Sequence, residues 1–386
     1  MTRAPMLNPF VLDTATPPIP QAQSWKAAYD GRRGPFIDMA QAVPGYPPPD
    51  SLLAALAAAA GAPAAAQYGP IHGDGALRAA LAEEMRRVYG AAFAADEIAI
   101  TAGCNMAFFV AAIALAKAGE AVLLPSPWYF NHEMTLRMLG IEARPLPCRP
   151  ERGFLPDPDE AAALIDDRVR AIVLVTPNNP TGAVYPPELI ARFAALAAER
   201  GITLVLDETY RDFLPDGSPH GVFAGPHRAS AMQLYSFSKA YCVPGHRLGA
   251  IVAPVGSIAE IGKILDSLQI CPARAGQMAL APAIAPLKAW RDGNRAEIGR
   301  RQQAFRAALA GSNGWRIDSI GAYFAFVAHP FAGRPAAEVA ERLAGEAGVL
   351  ALPGPYFGPG LETHLRFAFA NVDVAAIGEA GKRLAG

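Results

Sequence analysis

The middle of the chain alternates short runs of apolar, often β-branched residues with longer segments in which apolar residues recur at helical spacing. Apolar runs predict strands at residues 97–101, 121–124, 171–175, 202–206, 232–235 and 248–252, and the segments between them predict helices at 106–117, 134–139 and 187–200. Strands without polar alternation are typical of a parallel sheet that helices cover on both faces. We therefore expect an α/β fold with a mostly parallel sheet.

The two ends of the chain follow other patterns. The first 50 residues are rich in proline and glycine and predict an extended arm, which helices at 51–60 and 75–89 follow. Toward the C-terminus, a long helix at 292–310 precedes strands at 322–327 and 364–369, with a helix at 335–347 between them. This order favours a smaller α+β domain. We expect an arm at 1–45 that forms part of the small domain, a large domain at 46–285 and a small C-terminal domain at 286–386.

Composition and charge narrow the class of partner. The 386 residues are 52% hydrophobic and carry a formal net charge of -1, without a long basic run, so a nucleic-acid partner is not expected and a small molecule is favoured. The four cysteines form no CxxC pair, which argues against a zinc site and fits a reducing compartment. Asp13 and several prolines interrupt the N-terminus, and no apolar run approaches the roughly 20 residues of a membrane span. We expect a cytoplasmic protein that contacts no membrane.

Polar residues follow each predicted strand, at the edge where parallel sheets bind ligands. Gly103 precedes a helix whose free N–H groups suit a phosphate, although a glycine there equally suits a plain tight turn. Asn179 lies in a loop stiffened by prolines and Gly182, which is also compatible with an ordinary Asn-Pro turn.

The next two strands end in charged residues. Asp207 follows a buried strand, where a carboxylate requires a cationic partner, whether in a ligand site or in a purely structural pair. Beyond the strand at 232–235 come Ser236, Ser238 and Lys239, with Arg247 eight residues after the lysine. A lysine with a lowered pKa acts as a Schiff-base nucleophile, and arginine presents a fork of donors suited to phosphate.

These segments together resemble the fold-type I aminotransferases of class I/II, which depend on pyridoxal 5'-phosphate (PLP). The resemblance spans residues 68 to 369 in the family's order. Its motifs are YGPIHG at 68–73, TAGCN at 101–105, PWYFNH at 127–132, NNPTG at 178–182, DETYRDF at 207–213, SFSKAYCVPGHRLG at 236–249 and LRFAF at 365–369. The resemblance implies an aspartate-aminotransferase-like large PLP-binding domain and a smaller α+β domain.

For the cofactor, the resemblance implies a Schiff base between Lys239 and PLP, and Asp207 as the partner of the ring nitrogen. It gives catalytic roles to Lys239, Asp207 and Tyr210. The ring oxygen would be bound by Asn179 and Tyr210, and the phosphate by Gly103, Cys104, Asn105, Ser236, Ser238 and Arg247.

Further positions concern the ring faces, the substrate and the partner subunit. Tyr129 matches the aromatic residue that stacks on the ring, with Trp128 as its alternative, and His132 lies near the ring edge or is structural. Tyr68 matches a residue that reaches the phosphate in the partner subunit, which implies a homodimer with shared sites. Arg366 matches the arginine that binds the substrate α-carboxylate, and Asn179 and Ala42 are the other substrate-side residues. The family usually has glycine where Ala42 stands, and we expect the methyl group either to narrow that corner or to shift the arm that closes over the substrate.

The implied reaction moves an amino group between an L-amino acid and a 2-oxo acid by a ping-pong mechanism. Other PLP chemistry, such as that of β-lyases and α-decarboxylases, and a PLP-fold regulator are the alternatives, although a DNA-binding segment does not precede the family-like region. The amino donor stays open. Arg274 would suit an acidic side chain, whereas Trp25, Tyr29, Tyr46 and Trp128 would suit an apolar one or belong to the core.

Overall fold

The computed structural model of the protein describes residues 6–215 and 219–385. Its strands form a seven-stranded, a four-stranded and a two-stranded sheet. The strands are β1 (Ile37–Asp38), β2 (Ile98–Thr101), β3 (Ala121–Ser126), β4 (Glu142–Pro147), β5 (Val169–Val175), β6 (Thr203–Asp207), β7 (Ala231–Ser236), β8 (Gly249–Val252), β9 (Arg316–Gly321), β10 (Phe324–Ala328), β11 (Val349–Leu350), β12 (Leu352–Pro353) and β13 (His364–Phe367).

Helices precede, separate and follow these strands. Within the described ranges they are α1 (Pro9–Leu12), α2 (Pro18–Ser24), α3 (Asp50–Ala60), α4 (Gly75–Tyr89), α5 (Cys104–Leu115), α6 (Phe130–Met138), α7 (Pro158–Leu164), α8 (Pro187–Arg200), α9 (Phe237–Ala240), α10 (Val255–Gln269), α11 (Arg274–Leu280), α12 (Lys288–Leu309), α13 (Ala336–Arg342) and α14 (Val374–Ala385).

The seven-stranded sheet has the order β2-β8-β7-β6-β5-β3-β4. Strand β8 runs antiparallel to both of its neighbours, and the other pairs are parallel, which confirms the expected mostly parallel α/β sheet. Because β5, β6 and β7 are adjacent and parallel, their carboxyl ends bring Asn179, Asp207 and Lys239 to the same edge. Edge strand β4 was not predicted, since its sequence EARPLP contains two prolines and is only partly buried.

Both faces of this sheet are buried under helices. Along β5, Ile172 and Leu174 pack into the same core as Phe193 of α8, whereas Val173 points to the other face and packs with Phe108 of α5. Alternate side chains therefore enter two different cores, which explains why the strand reads as a continuous apolar run.

The second sheet is antiparallel, with the order β12-β13-β10-β9, and β1 pairs in parallel with β11. The N-terminal arm thus joins the C-terminal region through Ile37 and Val349. The arm is not simply extended as predicted, because it contains α1 and α2. The division of the chain at residues 45 and 285 stays a prediction.

Several elements differ from the sequence-based expectation. Helices α7, α10, α11 and α14 and strand β9 were not predicted. The strand expected at 322–327 begins only at Phe324, because Ala322 adopts a φ of 44° in the turn that precedes it. Among the residues with described structure, no helix is long and apolar enough to cross a membrane.

Candidate active site

A cavity of about 500 Å³ opens beyond the carboxyl ends of β5, β6 and β7. The structure brings most of the predicted site residues to its walls: Ala42, Cys104, Asn105, Tyr129, Asn179, Asp207, Tyr210, Ser236, Ser238, Lys239, Arg247 and Arg366. Its lining also includes residues that were not predicted: Pro17, Ile19, Gln41, Val43, Phe130, Asn131, Thr209 and Pro244.

Lys239 lies in α9, the short helix that follows β7 directly. Ser236 caps this helix, since its Oγ accepts a hydrogen bond of 3.3 Å from the Ser238 backbone N–H. The Lys239 ammonium donates to the Ala42 carbonyl. Burial, together with the positive charges of Arg247 and Arg366, lowers the pKa of Lys239 to about 8. A much larger fraction of this amine is neutral near pH 7 than in an exposed lysine.

The Asp207 carboxylate is only 4% exposed and has partners on both oxygens. His132 Nε2 lies 3.2 Å from Oδ2, while the Thr209 backbone N–H and hydroxyl donate to Oδ1 at 3.0 and 2.7 Å. Burial raises the pKa of Asp207, but His132 and Thr209 outweigh it, so the pKa lies below its ordinary value. The His132 ring is held by stacking on Phe108, with centroids 3.9 Å apart. Asp207 therefore stays charged and fixed in direction.

The Arg366 guanidinium is 2% exposed and is held by neutral groups. It donates to Asn179 Oδ1 at 2.9 Å and to the Ala40 carbonyl, while its Nε has no hydrogen-bond partner. The rings of Phe324 and Phe357 flank it, with centroids 5.0 and 4.9 Å away. Burial lowers its pKa to about 10. Such a cation, with no carboxylate among its partners in the described chain, provides a strong site for an anion.

Arg247 lies beside the N-terminus of α5. Its guanidinium donates to the carbonyls of Pro244 and Ala102, at 3.0 and 3.4 Å. Gly103, with a φ of 84°, is the N-cap residue of α5, and a Cβ at this position would overlap the Arg247 guanidinium. Glycine thus allows a permanent cation to approach free backbone N–H groups at a helix N-terminus, an arrangement that suits phosphate.

The loop after β5 joins this site to the second sheet. Asn178 Oδ1 accepts hydrogen bonds from the Thr181 backbone N–H at 3.0 Å and hydroxyl at 2.8 Å. A Cβ at Gly182 would collide with the backbone of Gly321, so glycine permits the loop to approach the β9–β10 hairpin. Tyr210 packs on Phe324 of the same hairpin, with centroids 5.1 Å apart. Loops of the large sheet and a hairpin of the second sheet therefore build one cavity.

Of the aromatic residues that the sequence offered as candidates for the cavity, only some line it. Tyr129 lines it and Trp128 does not. The Tyr129 ring is perpendicular to that of His132, with centroids 5.3 Å apart. Trp25, Tyr29 and Tyr46 are likewise absent from the lining, so the apolar-pocket alternative finds no support in these residues.

The predicted residues that do not line the cavity of their own chain include Tyr68, Gly103, His132 and Arg274. Tyr68 is 80% exposed. Arg274 Nε lies 3.2 Å from Asp74 Oδ1, and its Nη1 donates to the Ala64 carbonyl at 2.8 Å. The Cys104 thiol lies 3.8 Å from Asp207 Oδ1, and the residue is the first of α5.

Among the unpredicted residues, Thr209 and Asn131 make the clearest polar contacts. Thr209 lies two positions after Asp207 in the turn that follows β6, and the Asp-x-Thr spacing, typical of a turn in which the aspartate accepts from the N–H two residues on, would have been a usable signal. Asn131 Nδ2 donates to Tyr129 Oη at 2.9 Å. Pro17 and Ile19 reach the cavity from the N-terminal arm, a long-range contact for which the sequence offers no local signal.

Comparison with known proteins gives concordant similarities. Residues 35–384 match the family "Aminotransferase class I and II". The chain is 31% identical to valine–pyruvate aminotransferase of Mycobacterium tuberculosis over 294 residues, 75% of each chain. It is 31% identical to arginine–pyruvate transaminase of Pseudomonas aeruginosa over 328 residues, 82% of this chain and 81% of the relative. The solved aspartate aminotransferase from Thermus thermophilus with maleate has a TM-score of 0.91, 26% identity and coverage of 99% of both chains.

Proposed function

Because this chain belongs to the class I and II aminotransferase family and is a PLP-dependent transaminase, we propose that it transfers amino groups between L-amino acids and 2-oxo acids in the cavity around Lys239. One observation carries this placement. A partly buried amine, a buried carboxylate and two guanidinium groups that lack carboxylate partners in the described chain converge on one cavity. A ping-pong reaction binds one substrate at a time beside the cofactor. The amine, the carboxylate and one guanidinium would then serve the cofactor, and the second guanidinium would serve the substrate.

The residues present fit PLP group by group. Arg247 and the N-terminus of α5 match the phosphate, and Gly103 leaves room for it to approach the backbone. Asp207 matches the ring nitrogen, since its pKa is lowered and it stays charged. Lys239 matches the aldehyde. The groups proposed to hold the phosphate are Gly103, Cys104, Asn105, Ser236, Ser238 and Arg247, and those proposed for the ring oxygen are Asn179 and Tyr210.

When bound, PLP supplies an aldehyde for the amino group and a conjugated ring that stabilises negative charge at the substrate Cα. Lys239 Nζ would take the proton from the substrate Cα and hold it for return, because it is the amine that lines the cavity. A base works best when its pKa is near the operating pH, and the pKa of about 8 satisfies this condition. Proton transfer by a positioned side chain contributes roughly 10²–10⁴-fold to the rate.

Other residues orient the reacting groups. His132 and Thr209 hold the Asp207 carboxylate in one direction, toward the position proposed for the ring nitrogen. Tyr129 is proposed to stack on the ring, because it lines the cavity and its hydroxyl is anchored by Asn131. A fixed orientation of the cofactor ring relative to the substrate determines which bond at the substrate Cα is broken.

The substrate α-carboxylate is assigned to Arg366, supported by Asn179. The guanidinium of Arg366 lines the cavity, and a guanidinium offers the pair of parallel N–H donors that a carboxylate prefers. Ala42 closes the same corner, and its carbonyl accepts a hydrogen bond from Lys239. The methyl group of Ala42 therefore narrows the space between the amine and the carboxylate site.

We further propose a homodimer in the cytoplasm. Tyr68, 80% exposed and outside its own cavity, is available to reach the cofactor phosphate in a partner subunit. All four cysteines are free thiols, which is typical of a reducing compartment. Light scattering of the purified protein should give twice the mass of the chain; a monomer would contradict the shared site.

A single-turnover experiment tests the proposed function. Protein loaded with PLP is mixed with an amino acid in the absence of an acceptor, and the cofactor and product are quantified. We expect one equivalent each of pyridoxamine phosphate and 2-oxo acid, because transfer stops when the cofactor is aminated. Continuous release of ammonia or carbon dioxide without pyridoxamine phosphate would contradict the proposal.

A further inference from the structure

We propose that Thr209 is a positioning residue that decides which oxygen of Asp207 meets the cofactor and keeps the proton of that contact on the ring nitrogen. The inference rests on the proposed function, because it takes the ring nitrogen as the partner of Asp207. It goes beyond that function, since it assigns the nitrogen to one carboxylate oxygen and names the group that determines which atom of the pair carries the proton.

Thr209 directs two hydrogen-bond donors to the same oxygen of Asp207. Its backbone N–H donates to Oδ1 at 3.0 Å and its hydroxyl donates to Oδ1 at 2.7 Å. The N–H contact belongs to a turn in which an aspartate accepts from the N–H two residues on, so it does not depend on the side chain at position 209. The hydroxyl contact does depend on that side chain, because it needs a short residue with an O–H group.

The two oxygens of Asp207 are therefore occupied unequally. An ionised carboxylate offers about four acceptor positions, two on each oxygen. Oδ1 accepts from both donors of Thr209 and also has the Cys104 thiol 3.8 Å away, whereas the described part of the chain provides Oδ2 with one polar neighbour, His132 Nε2 at 3.2 Å. Because Asp207 lines the cavity and the open acceptor position is on Oδ2, we assign the ring nitrogen to Oδ2.

The location of the shared proton depends on how well the charged form of Asp207 is stabilised. The cofactor ring withdraws electrons most strongly when its nitrogen carries the proton. Asp207 is only 4% exposed, and burial favours the neutral pair, in which the carboxyl group holds the proton instead. Hydrogen bonds donated to the carboxylate favour its charged form, and they therefore move the proton to the nitrogen.

Two neighbours oppose the effect of burial on Asp207. Burial raises the pKa of Asp207, while His132 and then Thr209 lower it, so that the pKa lies below its ordinary value. His132 acts at Oδ2 and Thr209 at Oδ1, so the contribution of Thr209 can be removed without touching His132. A hydrogen bond to a charged group changes an equilibrium by roughly 10–100-fold. Loss of one hydroxyl is therefore expected to change where the proton lies.

Nitrogen NMR of isotope-labelled PLP tests the proposal without turnover. PLP labelled at the ring nitrogen is bound to the wild type and to Thr209→Val, which keeps the shape of the side chain and loses the hydroxyl. At one pH, the wild type should give the signal of a protonated ring nitrogen. In Thr209→Val the unprotonated fraction should rise about tenfold or more, which displaces the signal toward that of an unprotonated pyridine. An unchanged signal in Thr209→Val, or an unprotonated nitrogen in the wild type, would overturn the proposal.

Three further variants separate the hydroxyl from packing. Thr209→Ser retains the hydroxyl and should restore the wild-type signal. Thr203→Val makes the same substitution at the first residue of β6 and is the matched control, which should also give the wild-type signal. If Thr209→Val binds PLP poorly, Thr209→Ala tests the same loss of the hydroxyl. Equal displacement of the signal in Thr209→Ser and Thr209→Val would overturn the proposal, because the side-chain packing would then be responsible.

Kinetics on the same variants provide a second readout. The single-turnover rate of amino transfer to PLP should fall about tenfold in Thr209→Val, whereas the amino acid concentration that gives half of the maximal rate should change less than about threefold, because Arg366 is assigned to the α-carboxylate. A changed half-saturating concentration with an unchanged rate would contradict a role in proton placement.

Failure of the proposed function would look different from failure of this inference. If no amino acid yielded pyridoxamine phosphate, the transaminase proposal would fall, while the NMR comparison would still report the role of Thr209 in PLP-loaded protein. If transfer proceeded normally and the nitrogen signal were identical in Thr209→Val and the wild type, the function would stand and the inference about Thr209 would fall.

Discussion

Two groups of charged residues contact the segment 207–213 or line the cavity beside it, and their charges are balanced in different ways. The first group, the rear cluster, comprises Glu84, Glu208, Arg211, Asp212 and Arg291. Arg291 donates to Asp212 at 2.6 Å and to Glu84 at 2.8 Å. Glu208 accepts hydrogen bonds from Tyr89 and Gln233, and Arg211 lies over the ring of Tyr235 at 4.3 Å. The cation Arg291 thus finds its carboxylate partners within the chain.

On the cavity side, the same segment presents Asp207 and Tyr210 to cations that have no carboxylate partner in the described chain. Arg366 and Arg247 donate only to carbonyls and to the Asn179 amide. Arg247 is exposed to solvent, but Arg366 is buried, and desolvating a cation without an anion destabilises the ligand-free protein, whereas a closed ion pair is tolerated. We therefore interpret the cavity as a site for anions that arrive with the cofactor and the substrate, and the rear cluster as a contributor to the stability of the fold.

The largest effect expected is on the cavity side. Lys239→Ala should reduce the rate of amino transfer by about 10⁴-fold, because among the described residues Lys239 is the one lysine that lines the cavity and is proposed to move the Cα proton. Steady-state transfer between an amino acid and a 2-oxo acid measures the loss. Lys263→Ala, which changes an exposed lysine of α10, should retain full activity; normal turnover by the Lys239 variant would remove the proposed mechanism.

The rear cluster should govern stability instead. Arg291→Met leaves Asp212 and Glu84 buried without their shared partner and should lower the free energy of unfolding by about 3–5 kcal/mol. Denaturant unfolding measures this change. Arg300→Met on the same helix removes an exposed ion pair and should cost less than about 1 kcal/mol. Equal losses of unfolding free energy in the two variants would contradict the structural role of the rear cluster.

Arg366→Met should behave in the opposite way to Arg291→Met. Loss of the α-carboxylate partner should raise KM and cost about 2–5 kcal/mol in kcat/KM. Without ligand, the variant should unfold no more easily than the wild type, because a buried unpaired cation has been removed. A strong loss of stability with unchanged KM would place Arg366 among the structural charges.

The smallest effect concerns pH. The neutral Lys239 amine is the form that attacks PLP, so the rate of cofactor attachment to cofactor-free protein should fall about tenfold per pH unit below about 8 and level off above it. Stopped-flow absorbance measures the profile. Arg366→Met should shift its midpoint upward, since one of the charges that lower this pKa is lost. A midpoint near 10.5, the ordinary lysine value, would contradict the buried amine.

Local sequence patterns predicted the elements that form the cavity, because β5, β6 and β7 are apolar runs with polar residues directly after them. Contacts made at long range were not accessible in this way. His132 meets Asp207 only because α6 crosses the strand ends, and the arm contributes Ile19 only after β1 pairs with β11. Edge strand β4 escaped prediction for a local reason, since a half-exposed strand carries neither a continuous apolar run nor a clean alternation.

The proposed mechanism depends most directly on the attachment of PLP to Lys239. The protein is saturated with PLP, reduced with borohydride and digested, and the peptides are analysed by mass spectrometry. We predict one phosphopyridoxyl group, on Lys239, and its absence from the Lys239→Ala variant. An unmodified Lys239 in the wild type, or the group on a different lysine, would contradict the account.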